Sequence, residues 1–283
     1  MSTQAQNMVV VTGASSGIGR ATAQRLAADG FHVLAGVRNQ ADADKLRAHG
    51  IEPVIVDVTE PDTLRALAER VARDPQGRPL RAVVNNAGIA VNGAVEAVPL
   101  DEWRRQFEVS VFGQVAITQA LMPALLAAGG RVVNIGSVGG KVSMPGFGPY
   151  SAAKFAMEAV NDALRREMAP HGVQVVMITP GAVSTGMTEA GLTTLERVAK
   201  QMNPPQHDRH DRLIDAVKTQ VTTFARDGVP PERAAAVISQ AVRARRPRIR
   251  YTVGRDAGFL TRLVGFVPVR LLDRMLRRQM GLA

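Results

Sequence analysis

Short runs of β-branched and other apolar residues alternate along the chain with longer stretches in which apolar residues recur every three or four positions. Those longer stretches predict helices, among them Ala21–Ala28, Thr63–Arg73, Trp103–Ala128 and Ser151–Met168. Strands that alternate with helices are typical of an α/β protein, in which helices cover both faces of a parallel sheet. The short runs predict seven strands, at Met8–Val11, Phe31–Ala35, Pro53–Val56, Ala82–Val84, Arg131–Ile135, Val173–Ile178 and Arg248–Val253.

Residues 183–230 depart from this alternation. The segment is polar, contains Pro204 and Pro205, and separates the sixth predicted strand from the seventh. Its helices either close over an apolar substrate as a lid or only pack onto the body of the protein, and the sequence leaves both interpretations open. Because we find neither an internal repeat nor a low-complexity linker, we expect residues 1–283 to form a single domain. Apolar residues at helical spacing predict amphipathic, mobile helices in the segment, through Met187, Leu192, Leu195, Val198, Met202, Leu213, Ile214, Val217 and Phe224.

Positive charge is concentrated at the C-terminal end. Residues 243–283 contain 11 arginines against Asp256 and Asp273, so they carry +9 of the net charge of +10. Residues 255–283 are predicted to form a basic amphipathic tail, which docks on its own or a partner subunit or lies on an anionic lipid surface. Nucleic-acid binding is not expected, because no motif supports it. The tail combines an apolar stripe of Leu271, Leu272, Met275, Leu276 and Met280 with Arg270, Arg274, Arg277 and Arg278 on other faces.

Composition narrows the class of protein. Hydrophobic residues at 46% and charged residues at 21% are ordinary for a soluble globular protein. The absence of cysteine excludes disulfide scaffolds, thiolate metal sites and cysteine nucleophiles. The N-terminal residues lack the features of a secretory signal, and the uncharged apolar run at 263–269 is too short to span a bilayer. We therefore expect a cytoplasmic protein, with peripheral membrane contact through the tail left open.

A glycine-rich segment follows the first predicted strand directly and leads into a predicted helix. Glycines at such a junction let the backbone turn tightly and approach a pyrophosphate, whose charge is met by backbone amides and the positive end of the helix. A tight turn that binds nothing is the alternative interpretation. The segment predicts a dinucleotide-binding loop that includes Gly13, Ser15, Ser16, Gly17, Ile18 and Gly19.

The end of the second predicted strand bears on the choice of cofactor. NAD-binding folds carry an acidic residue here that binds the ribose hydroxyls, whereas this chain has Val37 followed by Arg38. Arg38 is suited to pair with the 2′-phosphate of NADP, so NADP(H) is favoured and NAD(H) stays open; a solvated loop arginine is the alternative. Asp57 and Val58, after the third strand, fit an adenine pocket, with a turn or helix-capping role as the alternative.

Three side chains predict acid–base chemistry. Tyr150 and Lys154 are four residues apart at the start of a predicted helix, so they share one face. A nearby ammonium is expected to lower the pKa of the Tyr150 phenol, which makes tyrosine usable as an acid and a base. Ser137 follows the fifth strand, and because α/β sheets bind ligands at the carboxyl ends of their strands, its hydroxyl is placed to hydrogen-bond a substrate oxygen.

A pair of histidines is the one sequence feature that imitates a metal site. His207 and His210 are three residues apart in the predicted lid, but no third ligand is evident. We expect solvated side chains and no metal.

These segments together resemble the short-chain dehydrogenase/reductase family, and in particular its retinol and hydroxysteroid dehydrogenase-like branch. The glycine-rich segment, Asn85-Asn86-Ala87-Gly88, Ser137, Tyr150-x-x-x-Lys154 and Pro180-Gly181 occur in the order and spacing of that family. The resemblance covers residues 8–185 closely and the region of the seventh strand more loosely. It implies an α/β fold of the Rossmann type, with a doubly wound seven-stranded parallel sheet, a C-terminal substrate lid and a basic helical tail.

The resemblance also implies roles for individual residues. Tyr150 would exchange a proton with the substrate alcohol or carbonyl, Lys154 would bind the nicotinamide ribose, and Ser137 would orient the substrate. The helices Trp103–Ala128 and Ser151–Met168 correspond to those that commonly form the subunit interface of the family, so we expect a homodimer or homotetramer. Contacts with the cofactor are implied for Asn86, Ala87, Gly88, Tyr150, Lys154, Pro180, Gly181, Val183 and Thr185.

Ser110 departs from the family pattern. Relatives usually have an asparagine here, which completes a proton relay by holding a water that links the lysine to solvent. A serine can preserve the backbone carbonyl contact but not the shape or the paired donors and acceptors of an amide. We expect turnover to persist, because Ser137, Tyr150 and Lys154 are present.

The expected function is the NADP(H)-dependent interconversion of an alcohol and a carbonyl on a lipophilic small molecule, such as a retinoid, a steroid or a fatty compound. The alternative is a weakly active cofactor-binding or membrane-associated scaffold, which the change at Ser110 and the basic tail keep open. The sequence specifies neither the substrate within the lipophilic class nor the physiological direction nor the number of subunits.

Overall fold

A computed structural model describes residues 6–254, 257–258 and 267–282. Seven strands form one sheet in the order β3-β2-β1-β4-β5-β6-β7, and every neighbouring pair is parallel. The doubly wound Rossmann-type fold with seven strands is therefore confirmed. Because the order reverses between β1 and β4, the carboxyl ends of these strands border a crevice of the kind that binds ligands. The strands are β1 Met8–Val11, β2 His32–Val37, β3 Ile51–Ile55, β4 Leu80–Asn85, β5 Arg131–Ile135, β6 Gln174–Pro180 and β7 Arg250–Val253.

Helices cover both faces of the sheet. A π-helical turn, Glu108–Phe112, joins the fourth helix to the fifth, and 3-10 turns lie at Val138–Gly140 and Ala169–His171. The α-helices whose bounds lie within the described residues are α1 Gly17–Ala28, α2 Gln40–Leu46, α3 Pro61–Ala72, α4 Leu100–Phe107, α5 Gly113–Ala128, α6 Gly148–Met168, α7 Gly186–Lys200, α8 Pro204–Asp227, α9 Pro231–Arg243 and α10 Val269–Gln279.

Two apolar clusters, one on each face of the sheet, form the core. Successive residues of β1 alternate between them, because strand side chains point to opposite faces. Val9 and Val11 join Leu26 of α1 and Ile238 of α9 on one face. Met8 and Val10 join Leu67 of α3 and Ile117 of α5 on the other. Burial on both faces explains why the central strands are uninterrupted apolar runs, and each such side chain contributes roughly 1.5–3 kcal/mol.

Strand pairing moves several element ends away from their predicted positions. The second strand, predicted at Phe31–Ala35, extends to Val37, and the third, predicted at Pro53–Val56, begins at Ile51, because Val33 pairs with Ile51 and Val37 with Ile55. The fourth and sixth strands, predicted at Ala82–Val84 and Val173–Ile178, are observed at Leu80–Asn85 and Gln174–Pro180. The seventh starts at Arg250, not Arg248, whose amide instead donates to the Tyr251 hydroxyl.

The helix predicted at Trp103–Ala128 starts earlier, at Leu100, and is interrupted by the π turn. The whole run Leu100–Ala128 is long and apolar enough, by length and composition, to cross a membrane. Its apolar residues Ile117, Leu121 and Leu125 are buried against the sheet, however, which is the packing of a core helix.

The segment predicted as a lid contains α7 and α8. Helix α8 begins at a capping box, in which the Asn203 side chain accepts from the Gln206 amide at 3.0 Å and the Gln206 side chain accepts from the Asn203 amide at 2.9 Å. The amphipathic helices are therefore confirmed, whereas their mobility stays a prediction. The two helices pack together through an apolar group that we call the lid cluster, consisting of Leu195, Met202, Ile214, Val217, Val221 and, from beyond α10, Met280.

Candidate active site

The glycine-rich segment turns tightly between β1 and α1 at the carboxyl edge of the sheet. Gly13 and Gly17 have φ angles of 63° and 53°, in the left-handed region that favours glycine. A Cβ on Gly19 would overlap the Gly13 carbonyl oxygen and lie 2.5 Å from Asn86 Nδ2. Ser16 is the N-cap residue of α1 and makes no side-chain capping bond, and Ser15 and Ser16 are exposed. This backbone surface at a helix N-terminus fits the pyrophosphate of a dinucleotide.

The loop after β4 is held against the glycine-rich segment by Thr12. The Thr12 Oγ1 accepts from the amides of Asn86 and Ala87, each at 3.0 Å. The Asn86 Nδ2 in turn donates to the carbonyls of Thr12 and Gly13, at 2.9 and 3.1 Å. The predicted residues Asn86 and Ala87 are thus brought to the glycine-rich segment. We did not predict a role for Thr12, although it begins the motif.

Arg38 lies immediately after β2, beside the glycine-rich segment. The Ala14 amide donates to the Gly36 carbonyl at 2.9 Å, which places this segment against the end of the strand. Val37 is buried and Arg38 is exposed, and within the described parts of the chain Arg38 has no hydrogen-bond or ion-pair partner. Its guanidinium is therefore available to a ligand.

Asp57 and Val58 follow β3 on the same side of the crevice. The Asp57 Oδ1 accepts from the Thr59 amide at 2.9 Å and from the Thr59 hydroxyl at 2.7 Å, which is the turn-stabilising role given above as the alternative. Val58 is buried against Gly113 at the start of α5. A contact of either residue with adenine stays a prediction.

Ser137, Tyr150 and Lys154 are brought together where β5 ends and α6 begins. The Ser137 Oγ and the Tyr150 ring both lie within 3.4 Å of the position of a Cβ on Gly139, so the two side chains are adjacent. The Ser137 Oγ accepts from the Gly139 amide at 3.0 Å. The Lys154 Nζ donates to the Ile135 carbonyl at 2.8 Å and lies 5.9 Å from the centre of the Tyr150 ring. The arrangement places a serine hydroxyl and a phenol next to each other, with the buried Lys154 ammonium beside the phenol ring.

The pKa of Tyr150 is raised, and the expectation that Lys154 lowers it is wrong for the protein alone. Burial raises this pKa, and the neighbouring Ser137 hydroxyl acts in the opposite direction without reversing it. The Lys154 ammonium donates to the Ile135 carbonyl, and burial lowers the pKa of Lys154 to about 8. At neutral pH the phenol is therefore protonated and the lysine charged.

Ser110 lies within the π turn and is completely buried, between two glutamines. Its Oγ accepts from the Gln106 Nε2 at 2.8 Å and from the Ile89 amide at 3.3 Å. Gln106 also donates to the Ile89 carbonyl at 3.0 Å and accepts from the Val91 amide at 2.8 Å. On the other side of Ser110, the Gln114 Nε2 donates to the Ala87 carbonyl at 3.0 Å.

The three side chains at positions 106, 110 and 114 thus form a polar ladder that binds the backbone of residues 87–91. Gly88 sits against it, since a Cβ on this residue would lie 3.6 Å from the Ser110 Oγ. We did not predict Gln106 and Gln114 as site residues, although their spacing of four on either side of Ser110 was the available signal.

The segment after β6 also reaches the glycine-rich loop. The Gly181 amide donates to the Val253 carbonyl at 3.0 Å, and Val183 forms a bridge with Val229. Thr185 is the N-cap residue of α7, and a Cβ on Gly17 would lie 3.0 Å from its side chain. Pro180 is the last residue of β6. The predicted cofactor contacts of this segment therefore border the same crevice as the glycines.

Buried amides connect the strands behind the site. The Asn85 Nδ2 donates to Asn134 Oδ1 at 2.9 Å and to Thr118 Oγ1 at 2.8 Å. The Asn134 Nδ2 donates to Asn161 Oδ1 of α6 at 3.1 Å. This series of hydrogen bonds connects β4 and β5 to the helix that carries Tyr150. The sequence analysis had assigned no role to Asn161.

The loop that precedes Tyr150 packs directly on the lid cluster. A Cβ on Gly146 would overlap the Val217 Cγ2, and Met144 and Phe147 pack against the same cluster. The Phe147 and Phe224 rings lie 6.3 Å apart. The apolar helices therefore adjoin the loop between Ser137 and Tyr150, and their role as a substrate lid stays a prediction.

The two histidines of α8 each lie within hydrogen-bond distance of a carboxylate. His207 Nδ1 lies 2.8 Å from Asp211, and His210 Nε2 lies 2.8 Å from Glu96, which Arg209 also contacts. Arg209 and His210 lower the pKa of Glu96 to about 2. Among the residues with described positions, no cluster of potential ligands is suited to a metal ion.

The sequence comparisons agree with this geometry. Residues 7–195 match the family described as short chain dehydrogenase. Retinol dehydrogenase 5 of Mus musculus is 34% identical over 282 residues, which cover 95% of this chain and 87% of that protein. The NADPH-dependent 3-dehydrocapnine reductase of Ornithobacterium rhinotracheale is 32% identical over 277 residues, which cover 94% of each protein.

A solved structure agrees as well. A short chain dehydrogenase/reductase from Burkholderia phymatum in complex with NAD superimposes with a TM-score of 0.78 at 25% identity, covering 98% of this chain and 97% of the other. The chain belongs to the short-chain dehydrogenase/reductase family of NAD(P)-dependent oxidoreductases, and it is retinol dehydrogenase-like.

Proposed function

We propose that this protein interconverts an alcohol and a carbonyl on a lipophilic substrate, such as a retinoid, a steroid or a fatty compound, with NADP(H) as its cofactor. The observation that carries the proposal is the convergence of Ser137, Tyr150 and Lys154 where β5 ends and α6 begins. A half-buried phenol, a serine hydroxyl and an ammonium in this arrangement suit proton exchange with a substrate oxygen.

The dinucleotide supplies or accepts a hydride at the substrate carbon when it is bound. Gly13, Gly17 and Gly19 provide the backbone surface for its pyrophosphate. In the reducing direction, the Tyr150 hydroxyl donates its proton to the carbonyl oxygen, and the raised pKa of the phenol keeps that proton in place until then. Ser137 donates a hydrogen bond to the same oxygen as negative charge develops on it, and the Lys154 ammonium stabilises the phenolate that remains.

Arg38 supports NADP(H) as the preferred cofactor. It is exposed at the end of β2, it has no partner among the described residues, and Val37 stands where an acidic residue would repel the 2′-phosphate. The reductase from Ornithobacterium is named as NADPH-dependent, whereas the Burkholderia phymatum structure contains NAD. Because the relatives differ in cofactor, we base the proposed preference for NADP(H) on the positive charge of Arg38.

The lid cluster supports a lipophilic substrate. Helices α7 and α8 present apolar side chains to the loop before Tyr150, where Met144 and Phe147 pack against them. Met187, at the start of α7, lies 4.0 Å from the position of a Cβ on Gly88, beside the crevice. Walls of this kind bury the apolar part of a ligand and leave its orientation to a few polar groups, here Ser137 and Tyr150.

The proposal is tested by following NADPH and NADH absorbance with a panel of aldehydes, quinones, retinoids and ketosteroids. The chain contains two tyrosines, which offers a matched control. Tyr150→Phe is expected to lower kcat by about 10²–10⁴-fold, whereas Tyr251→Phe, which loses only the contact with the Arg248 amide, retains turnover. Binding of NADPH without turnover on any member of the panel would instead favour the cofactor-binding scaffold.

A further inference from the structure

The inner side of the C-terminal helix holds it on the lid. Met280, just after α10, is 6% exposed and belongs to the lid cluster with Leu195 and Val217. Leu282 packs against the same cluster, and Leu272 and Leu276 are half-buried. Part of the apolar stripe of the tail is thus docked on this subunit.

The outer side of the same helix leaves apolar side chains in solvent. Leu271 and Met275, on this side, are 46% and 55% exposed. Leu271 and Met275 are four residues apart, so they share one face of α10. The docked stripe therefore accounts for only part of the apolar surface of the helix.

A row of arginines borders this exposed pair. Arg270, Arg274 and Arg278 follow one another at intervals of four, each one residue before or three after Leu271 or Met275, so the two rows lie side by side. All three are exposed, and none has an ion-pair partner in the described part of the chain. Elsewhere, exposed arginines such as Arg65 and Arg104 pair with aspartates on their own helices.

We propose that α10 binds the surface of an anionic membrane, with Leu271 and Met275 in the interfacial region and the three arginines at the lipid phosphates. An amphipathic helix with an apolar row beside unpaired cations has the chemistry of an interfacial helix, and the positive charge selects anionic headgroups. The inner side stays on the lid cluster, so membrane binding requires no detachment of the tail. Both roles considered for the tail are assigned to the same helix, on two neighbouring faces.

The charge of the whole segment supports a lipid surface as the occupant. Residues 243–283 carry +9, whereas the preceding 242 residues are nearly neutral at +1. A polybasic end on a neutral body orients the protein towards an anionic surface at long range. The apolar pair adds a contact that stabilises binding to a lipid surface but not to nucleic acid.

The proposal is tested by co-sedimentation of the full-length protein with phosphatidylcholine vesicles and with vesicles that also contain phosphatidylserine. Binding is expected only to the anionic vesicles, and it weakens as salt is added. The triple change R270Q, R274Q and R278Q is expected to weaken this binding by about 100-fold. Leu271→Gln together with Met275→Gln weakens it by about tenfold or more without changing the net charge.

A matched control has the same change in net charge away from the tail. Arg65, Arg73 and Arg104 are 67%, 81% and 71% exposed, and R65Q, R73Q and R104Q together should leave vesicle binding within about threefold. Equal binding to both kinds of vesicle, no binding to either, or an equal loss in the control would overturn the proposal.

Two other occupants of the exposed face give different results. Binding of duplex DNA that needs the three arginines but ignores Leu271→Gln and Met275→Gln, with no vesicle binding, would assign the face to nucleic acid. Loss of an oligomer in sedimentation velocity on changing Leu271 and Met275, again without vesicle binding, would assign it to a second copy of the chain. Circular dichroism of every variant checks that its fold is unchanged.

Discussion

The Gln106 side-chain amide donates a hydrogen bond of 2.8 Å to the Ser110 hydroxyl, one turn further along the same buried helix. The hydroxyl also accepts from the Ile89 amide, and Gln106 satisfies both the carbonyl of Ile89 and the amide of Val91. The oxygen of the serine that replaces the usual asparagine therefore accepts two hydrogen bonds. Together with Gln106, it fixes the loop that follows Asn86.

Replacing Ser110 with alanine should destabilise this loop. The change leaves the Ile89 amide and one proton of the Gln106 amide without a buried acceptor, and such a loss costs about 1–3 kcal/mol. We expect the free energy of unfolding to fall by that amount in chemical denaturation and KM for the cofactor to rise. Ser239→Ala removes another buried hydroxyl, which contacts Asp29, and should change stability without changing KM. An unchanged KM in Ser110→Ala would contradict a role for the ladder in the site.

Restoring the asparagine should have little effect on turnover. Ser137, Tyr150 and Lys154 are assembled in the presence of Ser110. We therefore expect kcat of Ser110→Asn to stay within about tenfold of that of the native protein, measured with NADPH and the best carbonyl of the panel. A gain of several orders of magnitude would show that the native serine disables the enzyme.

Arg38 should determine the choice between the two cofactors. A charge-assisted contact is worth about 1.5–3 kcal/mol, so Arg38→Gln is expected to lower kcat/KM for NADPH by roughly 10–100-fold and to leave kcat/KM for NADH nearly unchanged. Arg47→Gln, at the exposed end of α2, is the control and should alter neither value. Equal losses with both cofactors would rule out recognition of the 2′-phosphate.

Lys154 should make stability depend on pH in alkaline solution. Burial lowers its pKa from 10.5 to about 8, so below about pH 8 folding carries the full cost of a buried charge. Between about 8 and 10.5 the folded protein has lost the proton and the unfolded chain keeps it, so stability rises with pH. The difference corresponds to roughly 3 kcal/mol.

The measurement compares urea unfolding of the native protein and Lys154→Met, without cofactor, at neutral and alkaline pH. Other groups titrate in both proteins and cancel in the difference. The native protein should gain stability relative to Lys154→Met as the pH rises from about 8 to 10.5. A constant or opposite difference would show that the ammonium is well solvated or paired in the folded state.

Two exposed phenylalanines should lie in a subunit interface. Phe112, at the end of the π turn, is 55% exposed, and Phe155, on α6, is 46% exposed. They are on the two helices expected to form a homodimer or homotetramer. Phe112→Asp combined with Phe155→Asp should reduce the assembly to smaller species in sedimentation velocity, whereas Ile55→Asp, at a residue 44% exposed on the edge strand β3, should not. A native protein that sediments as a monomer would refute the interface.

The central strands are predictable because burial on both faces makes them continuous apolar runs. The predicted bounds of β1 and β5 agree with the structure for this reason. The edge strand β3 is harder, since Glu52 and Pro53 interrupt its pattern and only pairing with β2 shows that it starts at Ile51. A proline is tolerated there because an edge strand has a free side.

The residue types of the site are predictable, but their energetics are not. The spacing of Tyr150 and Lys154 places both on one face of α6. It does not show that the ammonium donates to the Ile135 carbonyl or that burial dominates the pKa of the phenol. Gln106 acquires its role only because the helix passes the loop after β4, which is a tertiary contact.

Met280 packs in the lid cluster, so it links the position of the C-terminal tail to the position of the lid helices. The last turn of the tail and the helices over the active site share one apolar core, so a displacement of α8 changes the contacts of Met280. By thermodynamic reciprocity, if a substrate that favours one position of the lid changes the affinity of the tail for its ligand, that ligand changes substrate affinity by the same factor. Cutting the side chain back, as in Met280→Ala, would uncouple the two sites while leaving each able to bind.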